Sequence, residues 1–397
     1  MKAKLLTVLT AGIFLVAACS KSTVTKPVTK TDTTTTVTPP PVTTTPGPPL
    51  ANTVDKTDTL NVMAYNVLSY GDDCQGTTTT LNGYFRTIIQ YTHPDLMSCE
   101  KMTAFALSSG LPVNLADNIT DSVLNTVFPG RYAYATPTNT ADGSNMSVLF
   151  YNKQKLTFVK TETLYQYISD FDLYKLYYND PNLAITHDTT FLYAVVNHTQ
   201  SGSPSTTRDM QVAEEMQSLK TKFAYFPNMV NMGDFNTANS YEAGYQSIIT
   251  STDTLTEMTD PPFYPDKSEQ YPAEWENNAA AFAKFLTTTT RALATVPNSC
   301  GTGGGAKGWY DHLFISRWLY NGTNYMQYVP KSYQTVGNDG NRIGVDANSP
   351  TPVVNTSAPA AVINAIYQFS DKYPITIKLL VKANRNAYSP ADPKEKN

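Results

Sequence analysis

The chain contains few of the residues from which zinc sites are built. Its 397 residues include only four histidines and four cysteines, and they form no cluster at the spacing of a zinc site. The histidines are far apart in the sequence, at His93, His187, His198 and His312. A zinc centre is therefore not expected.

A surplus of positive charge is also missing. The formal net charge is -4 at pH 7, and an acidic protein is poorly suited to tight, sequence-independent binding of polyanions. Such a charge does suit a site that is rich in carboxylates and needs divalent cations. The composition disfavours a nucleic-acid-binding protein, but it is compatible with a nuclease that contacts its substrate briefly.

Long apolar runs are absent except at the N-terminus, where Lys2 and Lys4 precede an apolar stretch over residues 5–16. This length and the basic flank predict a secretory signal peptide over residues 1–18. The following Ala17-Ala18-Cys19 resembles a bacterial lipobox, which implies diacylglycerol on Cys19. We expect a lipid-anchored protein of the cell envelope, at the outer membrane or the cell surface; the alternative is a secreted protein with an incidental cysteine.

Residues 19–58 are mainly Thr, Pro, Val and Lys. They have too little apolar surface to offset the entropy of ordering, so we predict a disordered, extended tether. The remaining residues, 59–397, are predicted to form one large domain.

Five short stretches share one pattern, an apolar run that ends in a polar side chain. The central one covers residues 229–239, where Gly233-Asp234-Phe235-Asn236 follows an apolar run. In extended geometry Asp234 and Asn236 lie on the same face, although a simple turn would also explain an isolated Gly-Asp-x-Asn. The other four stretches carry Asn66, Glu100, His198 and Asp311.

In this order and at these intervals the stretches resemble the endonuclease/exonuclease/phosphatase family, the metal-dependent phosphoesterases related to deoxyribonuclease I, over roughly residues 60–383. The resemblance implies an α/β fold, a four-layer sandwich of two packed mixed β-sheets flanked by helices. It also implies phosphoester hydrolysis with Mg²⁺, or with Mn²⁺ or Ca²⁺. The substrate stays open among nucleic acid, a phospholipid headgroup and a sugar phosphate, and we expect a monomer.

The family pattern implies a role for each of these residues. Asn66 and Glu100 would bind the metal, since hard cations select carboxylate and amide oxygens. Asp234 would act as the base or orient the attacking water, Asn236 would fix Asp234 and the phosphate, and His198 would donate to a phosphate oxygen.

Two further residues have less certain roles. Arg208 would either steer phosphate or hold its loop, and we favour the structural role. Asp311 would bind a second metal or orient other groups. The neighbouring His312 alternates to the opposite face of an extended strand, so we do not count it as catalytic.

The sequence departs from the family at Ser370-Asp371-Lys372-Tyr373-Pro374. Lys372 stands where the family has a histidine, next to Asp371, which we assign to the catalytic and metal-binding set. Lysine keeps a cation but cannot shuttle protons as imidazole does. Three hypotheses follow: a working enzyme, a catalytically weakened member that acts as a surface binding module, and a structural surface lipoprotein.

The remaining expectations concern structure. Helices are predicted near residues 84–89 and 241–249, and over 206–223 with caps from Thr206 and Thr207. The apolar face of this last helix is predicted to consist of Met210, Ala213, Met216, Leu219 and Phe223. Strands are predicted at 147–151, 191–196, 313–315 and 375–381, and an irregular insertion over one edge of the site at 261–308. Cys99 should pack in the core, whereas spacing leaves open whether Cys74 and Cys300 pair.

Overall fold

A computed structural model describes residues 57–141, 143–263, 275, 282–298, 300–322 and 324–382. The predicted signal peptide, Cys19 and nearly all of the predicted tether lie outside these residues, so they stay predictions. The first strand begins at Thr57, two residues inside the predicted tether. Within the described ranges, every helix is too short or too polar to cross a membrane.

The described strands form two mixed sheets. The first has the order β11-β13-β1-β2-β4-β3, with β12 also paired to β13, and the second has the order β5-β6-β7-β8-β10-β9. The first sheet contains β1 (Thr57–Tyr70), β2 (Leu96–Thr103), β3 (Tyr132–Ala135), β4 (Asn145–Asn152), β11 (Met326–Tyr328), β12 (Gln334–Thr335) and β13 (Ile375–Lys382). The second contains β5 (Leu156–Gln166), β6 (Asp170–Tyr178), β7 (Phe191–His198), β8 (Met229–Asp234), β9 (Met258–Thr259) and β10 (Asp311–Ser316).

Helices cover the outer faces of both sheets. They are α1 (Thr78–Thr92), α2 (Leu115–Ile119), α3 (Asn125–Val127), α4 (Leu183–Thr186), α5 (Thr206–Lys222), α6 (Ala243–Ile249), α7 (Arg317–Asn321) and α8 (Ala360–Phe369), with a π-helical turn (Thr120–Leu124) between α2 and α3 and a 3₁₀ turn (Thr254–Thr256) after α6. Phe85 of α1 stacks on Phe369 at the end of α8 with ring centroids 4.6 Å apart, and Tyr65 of β1 packs against the same ring at 5.5 Å. On the second sheet, Tyr245 of α6 packs against Phe314 of β10 at 5.5 Å. The sheets face each other through β1 against β8 and β2 against β7, which confirms the predicted four-layer sandwich.

The helix α1 forms where its apolar spacing predicts it. Thr77 caps its first turn by accepting a hydrogen bond from the backbone N–H of Thr80, and the helix ends at His93 in a left-handed conformation. Its buried face repeats at helical spacing through Leu81, Phe85 and Ile88.

The prediction for α5 was wrong about its cap and right about part of its buried face. Ser205, not Thr206 or Thr207, is at the N-cap position. Met216, Leu219 and Phe223 are buried as predicted, whereas Met210 and Ala213 are exposed. The buried face also contains Glu215, whose carboxylate accepts hydrogen bonds from the side-chain amides of Asn197 and Asn231 in the sheet, so an apolar pattern alone identifies only part of this face.

Two predictions about loops need revision. Cys74 and Cys300 form a disulfide, with their Cα atoms 5.8 Å apart, which settles the question that spacing left open; Cys99 is buried, as expected. The described part of the predicted insertion does not merely cover an edge. Residues 287–291 are buried, and Thr288 forms isolated bridges to Gly308 and to Lys372.

The strand registers bring the polar residues together, although β1 and β2 continue beyond Asn66 and Glu100 and do not end at them as predicted. The parallel pair β1–β2 places Asn66 opposite Glu100, and the parallel pair β7–β8 places His198 opposite Asp234. The antiparallel strand β10 begins with Asp311 opposite Asp234. Because β13 begins at Ile375 opposite Ala64 of β1, the run before it reaches the same edge.

Candidate active site

Asp234 is the carboxylate at this edge whose two oxygens both have partners. Its Oδ2 accepts a hydrogen bond from Nδ2 of Asn66 at 2.8 Å and lies 3.1 Å from Nζ of Lys372, while its Oδ1 accepts from the backbone N–H of Asn236 at 2.9 Å. Burial disfavours its charged form, but Lys372 and these hydrogen bonds outweigh burial and lower the pKa of Asp234. The residue is therefore an oriented carboxylate and a weak base.

The backbone around Asp234 needs the residues that precede and follow it. At Gly233 a Cβ atom would lie 2.0 Å from the carbonyl oxygen of Asn197, so only glycine fits against the neighbouring strand. Asn236 adopts a left-handed conformation with φ of 48°, and its Nδ2 donates to the carbonyl oxygen of Thr199 at 3.0 Å. The Gly-Asp-x-Asn turn thus links the ends of β7 and β8.

Lys372 is a buried cation inside this cluster. Its side chain is 7% exposed, and its Nζ also lies 4.8 Å from the centroid of the Tyr310 ring. Burial alone would lower its pKa, but the carboxylates of Asp234, Asp311 and Asp371 raise it above the ordinary value. The ammonium therefore stays protonated at neutral pH.

Residues 370–372, just before β13, are fixed by hydrogen bonds to β1 and to Thr302. Ser370 donates through Oγ to the carbonyl oxygen of Asn66 at 2.8 Å, and the same Oγ accepts from the backbone N–H of Lys372 at 3.1 Å. Asp371 accepts through Oδ2 from the backbone N–H and the Oγ1 of Thr302, at 2.8 and 2.9 Å. Its Oδ1 is buried with no hydrogen-bond partner in the described part of the protein.

Glu100 is as buried as Asp234 but differs from it in hydrogen bonding and in pKa. Neither of its carboxylate oxygens has a hydrogen-bond partner among the described residues. Burial, with a smaller contribution from Asp234, raises its pKa to about 8. It lies opposite Asn66 in the sheet and is not one of the residues that line the cavity.

Asp311 has similar surroundings. Both of its oxygens are buried without a partner in the described ranges, and burial together with the neighbouring Asp234 raises its pKa well above the ordinary value. A group in this position needs a proton or a cation.

His198 and Arg208 stand on the side of β7. His198 is half-buried in the cavity wall, and burial, with the cations of Lys101 and Lys372, lowers its pKa to about 4. Arg208 donates from Nε to Oε2 of Glu242 at 2.7 Å and from Nη2 to Oε1 at 2.5 Å, and also from Nη1 to the carbonyl of Gly202. This geometry supports the loop-holding role of Arg208, and direct phosphate contact stays a prediction.

His312 takes no part in the cluster. It is buried, with Nδ1 2.9 Å from Oδ2 of Asp260 and Nε2 3.0 Å from the carbonyl oxygen of Trp309.

An open cavity of about 960 Å³ brings most of the predicted residues together. Those that line it are Asn66, His198, Arg208, Asp234, Asn236, Asp371 and Lys372, whereas Glu100 and Asp311 lie outside the lining. The structure thus places all of the predicted residues in the described ranges at one edge of the sandwich. Their chemical roles stay predictions.

Sequence reasoning missed the threonines that support the site. Thr287 accepts through Oγ1 from the backbone N–H groups of Tyr310 and Asp311, both at 3.1 Å. Thr290 donates its backbone N–H to the carbonyl of Asp371 at 3.0 Å and its Oγ1 to the carbonyl of Ser370 at 2.6 Å. The available signal was a run of four threonines, residues 287–290, inside a stretch interpreted as an irregular loop.

The oxygens without partners fit a hard divalent cation. Glu100, opposite Asn66 in the sheet, and Oδ1 of Asp371 offer unpaired buried carboxylate oxygens, and such oxygens are the ligands that Mg²⁺, Mn²⁺ and Ca²⁺ prefer. Among the described residues no three His, Cys, Asp or Glu side chains converge as a metal-binding group. A cation here would depend on one or two carboxylates together with water and substrate, as Mg²⁺ often does.

The architecture belongs to a known structural class. With two mixed sheets and flanking helices, the protein has the deoxyribonuclease I-like fold of the endonuclease/exonuclease/phosphatase proteins. The resemblance inferred from the motifs is thereby confirmed at the level of the fold.

Known structures agree. TDP2 of D. rerio, solved with single strand DNA product, aligns with a TM-score of 0.50 at 12% identity, over 81% of this chain and 99% of that chain. An endonuclease/exonuclease/phosphatase family protein from Bacteroides thetaiotaomicron gives 0.42 at 13%, over 83% and 97%. A mannosyl-6-phosphatase of the same organism gives 0.45 at 14%, over 81% and 99%. No protein-family model and no curated protein matches the sequence.

Proposed function

We propose that the protein is a metal-dependent phosphoesterase. The observation that carries this proposal is the contrast at one sheet edge between Asp234, which is oriented by several donors, and the neighbouring Glu100, whose buried oxygens have no partner. An oriented acceptor beside an unsatisfied carboxylate is what water activation next to a bound cation requires.

Each group has a stated part in the reaction. A divalent cation at Glu100 and Asp371 would supply Lewis-acid stabilisation of charge on a phosphoryl oxygen. Asp234 accepts a hydrogen bond from the attacking water and aligns it, while Asn66 and Asn236 keep the carboxylate in place. His198, neutral at pH 7 because of its lowered pKa, donates one ring N–H to the phosphate.

Lys372 favours a second candidate function, a weakened enzyme that binds phosphate esters. Its ion pair with Asp234 lowers the basicity of that carboxylate, and its raised pKa prevents it from delivering a proton at neutral pH. General acid and base help is typically worth about 10² to 10⁴ in rate. A site with these properties retains charge stabilisation but lacks part of the proton transfer.

One experiment separates the two functions. The full chain, kept in detergent, is assayed with bis-p-nitrophenyl phosphate and plasmid DNA in Mg²⁺, Mn²⁺, Ca²⁺ or EDTA, beside the variant Lys372→His. Metal-dependent turnover by the unmodified protein supports the enzyme. Turnover by Lys372→His alone supports the binding module, and no turnover by either protein rejects the phosphoesterase.

We also propose that Cys19 anchors the protein to the cell envelope, on the sequence pattern around it. Radiolabelled palmitate should label the protein in bacterial cells, and Cys19→Ala should abolish the label and release the protein from the membrane fraction. Unchanged membrane association of Cys19→Ala would argue for an ordinary secreted protein.

A further inference from the structure

We propose that the cavity takes a small, hydroxyl-rich phosphate ester, such as a phosphorylated sugar or polyol. This inference rests on the proposed function, because it names the substrate class of the same site. It depends on the chemistry of the cavity wall, which differs from that expected for a nucleic acid or a lipid.

Amides and hydroxyls dominate the wall. About half of the residues that line it carry an aliphatic hydroxyl or a carboxamide, including Asn145, Gln200, Ser203 and Asn239. Thr288 also lines the cavity, and its Oγ1 is buried without a hydrogen-bond partner among the described residues. The hydroxyl of Thr288 favours a ligand that returns a hydrogen bond to it, since an unpaired buried polar group is costly, and the other amides and hydroxyls of the wall can donate to or accept from the hydroxyls of such a ligand.

Flat or apolar surfaces are scarce. Among the described residues that line the cavity, the aromatic rings are those of His198 and Tyr310, and Ile168 is the sole large aliphatic residue. The ammonium of Lys372 lies over the Tyr310 ring and therefore covers one of its faces. Binding of single-stranded nucleic acid depends on aromatic stacking, and binding of lipid tails depends on apolar area; the wall provides little of either.

The charges of the wall are balanced rather than basic. Lys101, Arg208 and Lys372 line it together with Asp234, Glu242 and Asp371. Arg208 is paired with Glu242, and Lys372 with Asp234. A polynucleotide requires several unpaired Lys or Arg side chains along its phosphate backbone. A small monophosphate ester with a neutral, hydroxylated organic group does not.

The test compares matched esters on the full chain with Mg²⁺. A hexose 6-phosphate and n-hexyl phosphate share six carbons and differ in their hydroxyls, and a 5′-phosphorylated DNA oligonucleotide and sphingomyelin vesicles represent the rival classes. p-Nitrophenyl phosphate measures general turnover. A disaccharide 6-phosphate distinguishes a free sugar phosphate from one at the end of a glycan.

We expect kcat/KM for the hexose phosphate to exceed that for hexyl phosphate by about 100-fold or more, because the wall would leave its polar groups unpaired against the alkyl chain. Asn239→Ala and Thr288→Val should lower kcat/KM for the hexose phosphate more than for p-nitrophenyl phosphate. The exposed Asn348, which lies outside the cavity lining, provides the control Asn348→Ala, which should change neither value.

Equal values for the hexose and hexyl esters overturn the inference, and so does a higher value for the oligonucleotide or the vesicles. If no ester is hydrolysed, the proposed function fails, and calorimetric binding of hexose phosphate and hexyl phosphate then decides the ligand class. Tighter binding of the hexose ester by tenfold or more upholds the inference, and equal binding overturns it.

Discussion

Each of the two parallel strand pairs of the sandwich carries one carboxylate of the site, but the two carboxylates differ in their hydrogen bonds. In β7–β8 the carboxylate of Asp234, at the end of β8, has donors from Asn66, Asn236 and Lys372. In β1–β2 the carboxylate of Glu100, three residues before the end of β2, has none in the described part of the chain. One half of the site is satisfied by the protein itself, and the other half needs a proton or a cation.

The largest expected effect comes from the satisfied half. Asp234→Asn should lower turnover by about 10² to 10⁴ because an amide cannot accept a proton from the attacking water. Steady-state kinetics measures the loss, and circular dichroism checks the fold. The exposed Asp121 gives the control Asp121→Asn, which should leave turnover unchanged; full activity of Asp234→Asn would remove this residue from the mechanism.

Lys372→Met should leave the buried Asp234 carboxylate without its cation. Breaking a buried ion pair by removing one partner costs about 3 to 5 kcal/mol, so the free energy of unfolding in urea should fall by that amount. The double variant Lys372→Met/Asp234→Asn should recover part of it. Lys160→Met at the exposed pair with Glu162 should cost less than about 1 kcal/mol, and an equal cost at both sites contradicts the buried pair.

The disulfide should support the proposed metal ligand Asp371 from a distance. Cys300 lies two residues before Thr302, which binds Asp371, and it is tied to Cys74. The variant Cys74→Ser/Cys300→Ser should lose about 2 to 5 kcal/mol of stability and bind Mg²⁺ more weakly, as followed by Mg²⁺-dependent thermal shifts. Cys99→Ser, which leaves the disulfide intact, is the control. Unchanged Mg²⁺ binding in the double serine variant would show that the disulfide does not support the metal site.

Because the carboxylate oxygens of Glu100 lack hydrogen-bond partners in the described part of the chain, we predict that a divalent metal stabilises the folded protein. Saturating Mg²⁺, at about 100 times its dissociation constant, should stabilise the unmodified protein by roughly 3 kcal/mol. Glu100→Gln should abolish this gain without lowering stability in EDTA, because burial already disfavours the charged form of Glu100. Thermal unfolding in Mg²⁺ and in EDTA measures both effects. An undiminished Mg²⁺ shift in Glu100→Gln would falsify the assignment of this residue as a ligand.

The smallest expected effect per step of the experiment is a pH slope from Glu215, on the buried face of α5. Burial raises its pKa from 4.5 to about 8, although the amides of Asn197 and Asn231 favour the charged form. Between these pH values the folded state holds a proton that the unfolded state has lost, so stability falls as pH rises, by at most about 1.4 kcal/mol per pH unit from this group. Denaturation from pH 5 to 8 should show a smaller slope for Glu215→Gln. An identical slope would exclude Glu215 as its source, and Glu100 leaves a residual slope of the same sign.

Local patterns predicted much of the fold. The spacing of Phe85, Ile88 and Ile89 indicates α1, and a continuous apolar run that ends at Gly233-Asp234 indicates a buried strand. The stretches that carry Asn66, Glu100, His198 and Asp311 were recognised by their order. The polar part of the buried face of α5 was missed, because its packing depends on the hydrogen bonds of Glu215 to two asparagines that are distant in the sequence from each other.

The sequence by itself determined the residue types of the site and the strands that carry them, since an apolar run ending in a polar residue is a local signal. Tertiary structure alone decided which of these residues are satisfied. The ion pair of Lys372 with Asp234 and the hydrogen bond of Thr302 to Asp371 join segments that are far apart in the chain. The lack of a hydrogen-bond partner for Glu100 among the described residues likewise depends on which segments surround it. Their energies depend on burial and on distances that no spacing in the sequence encodes.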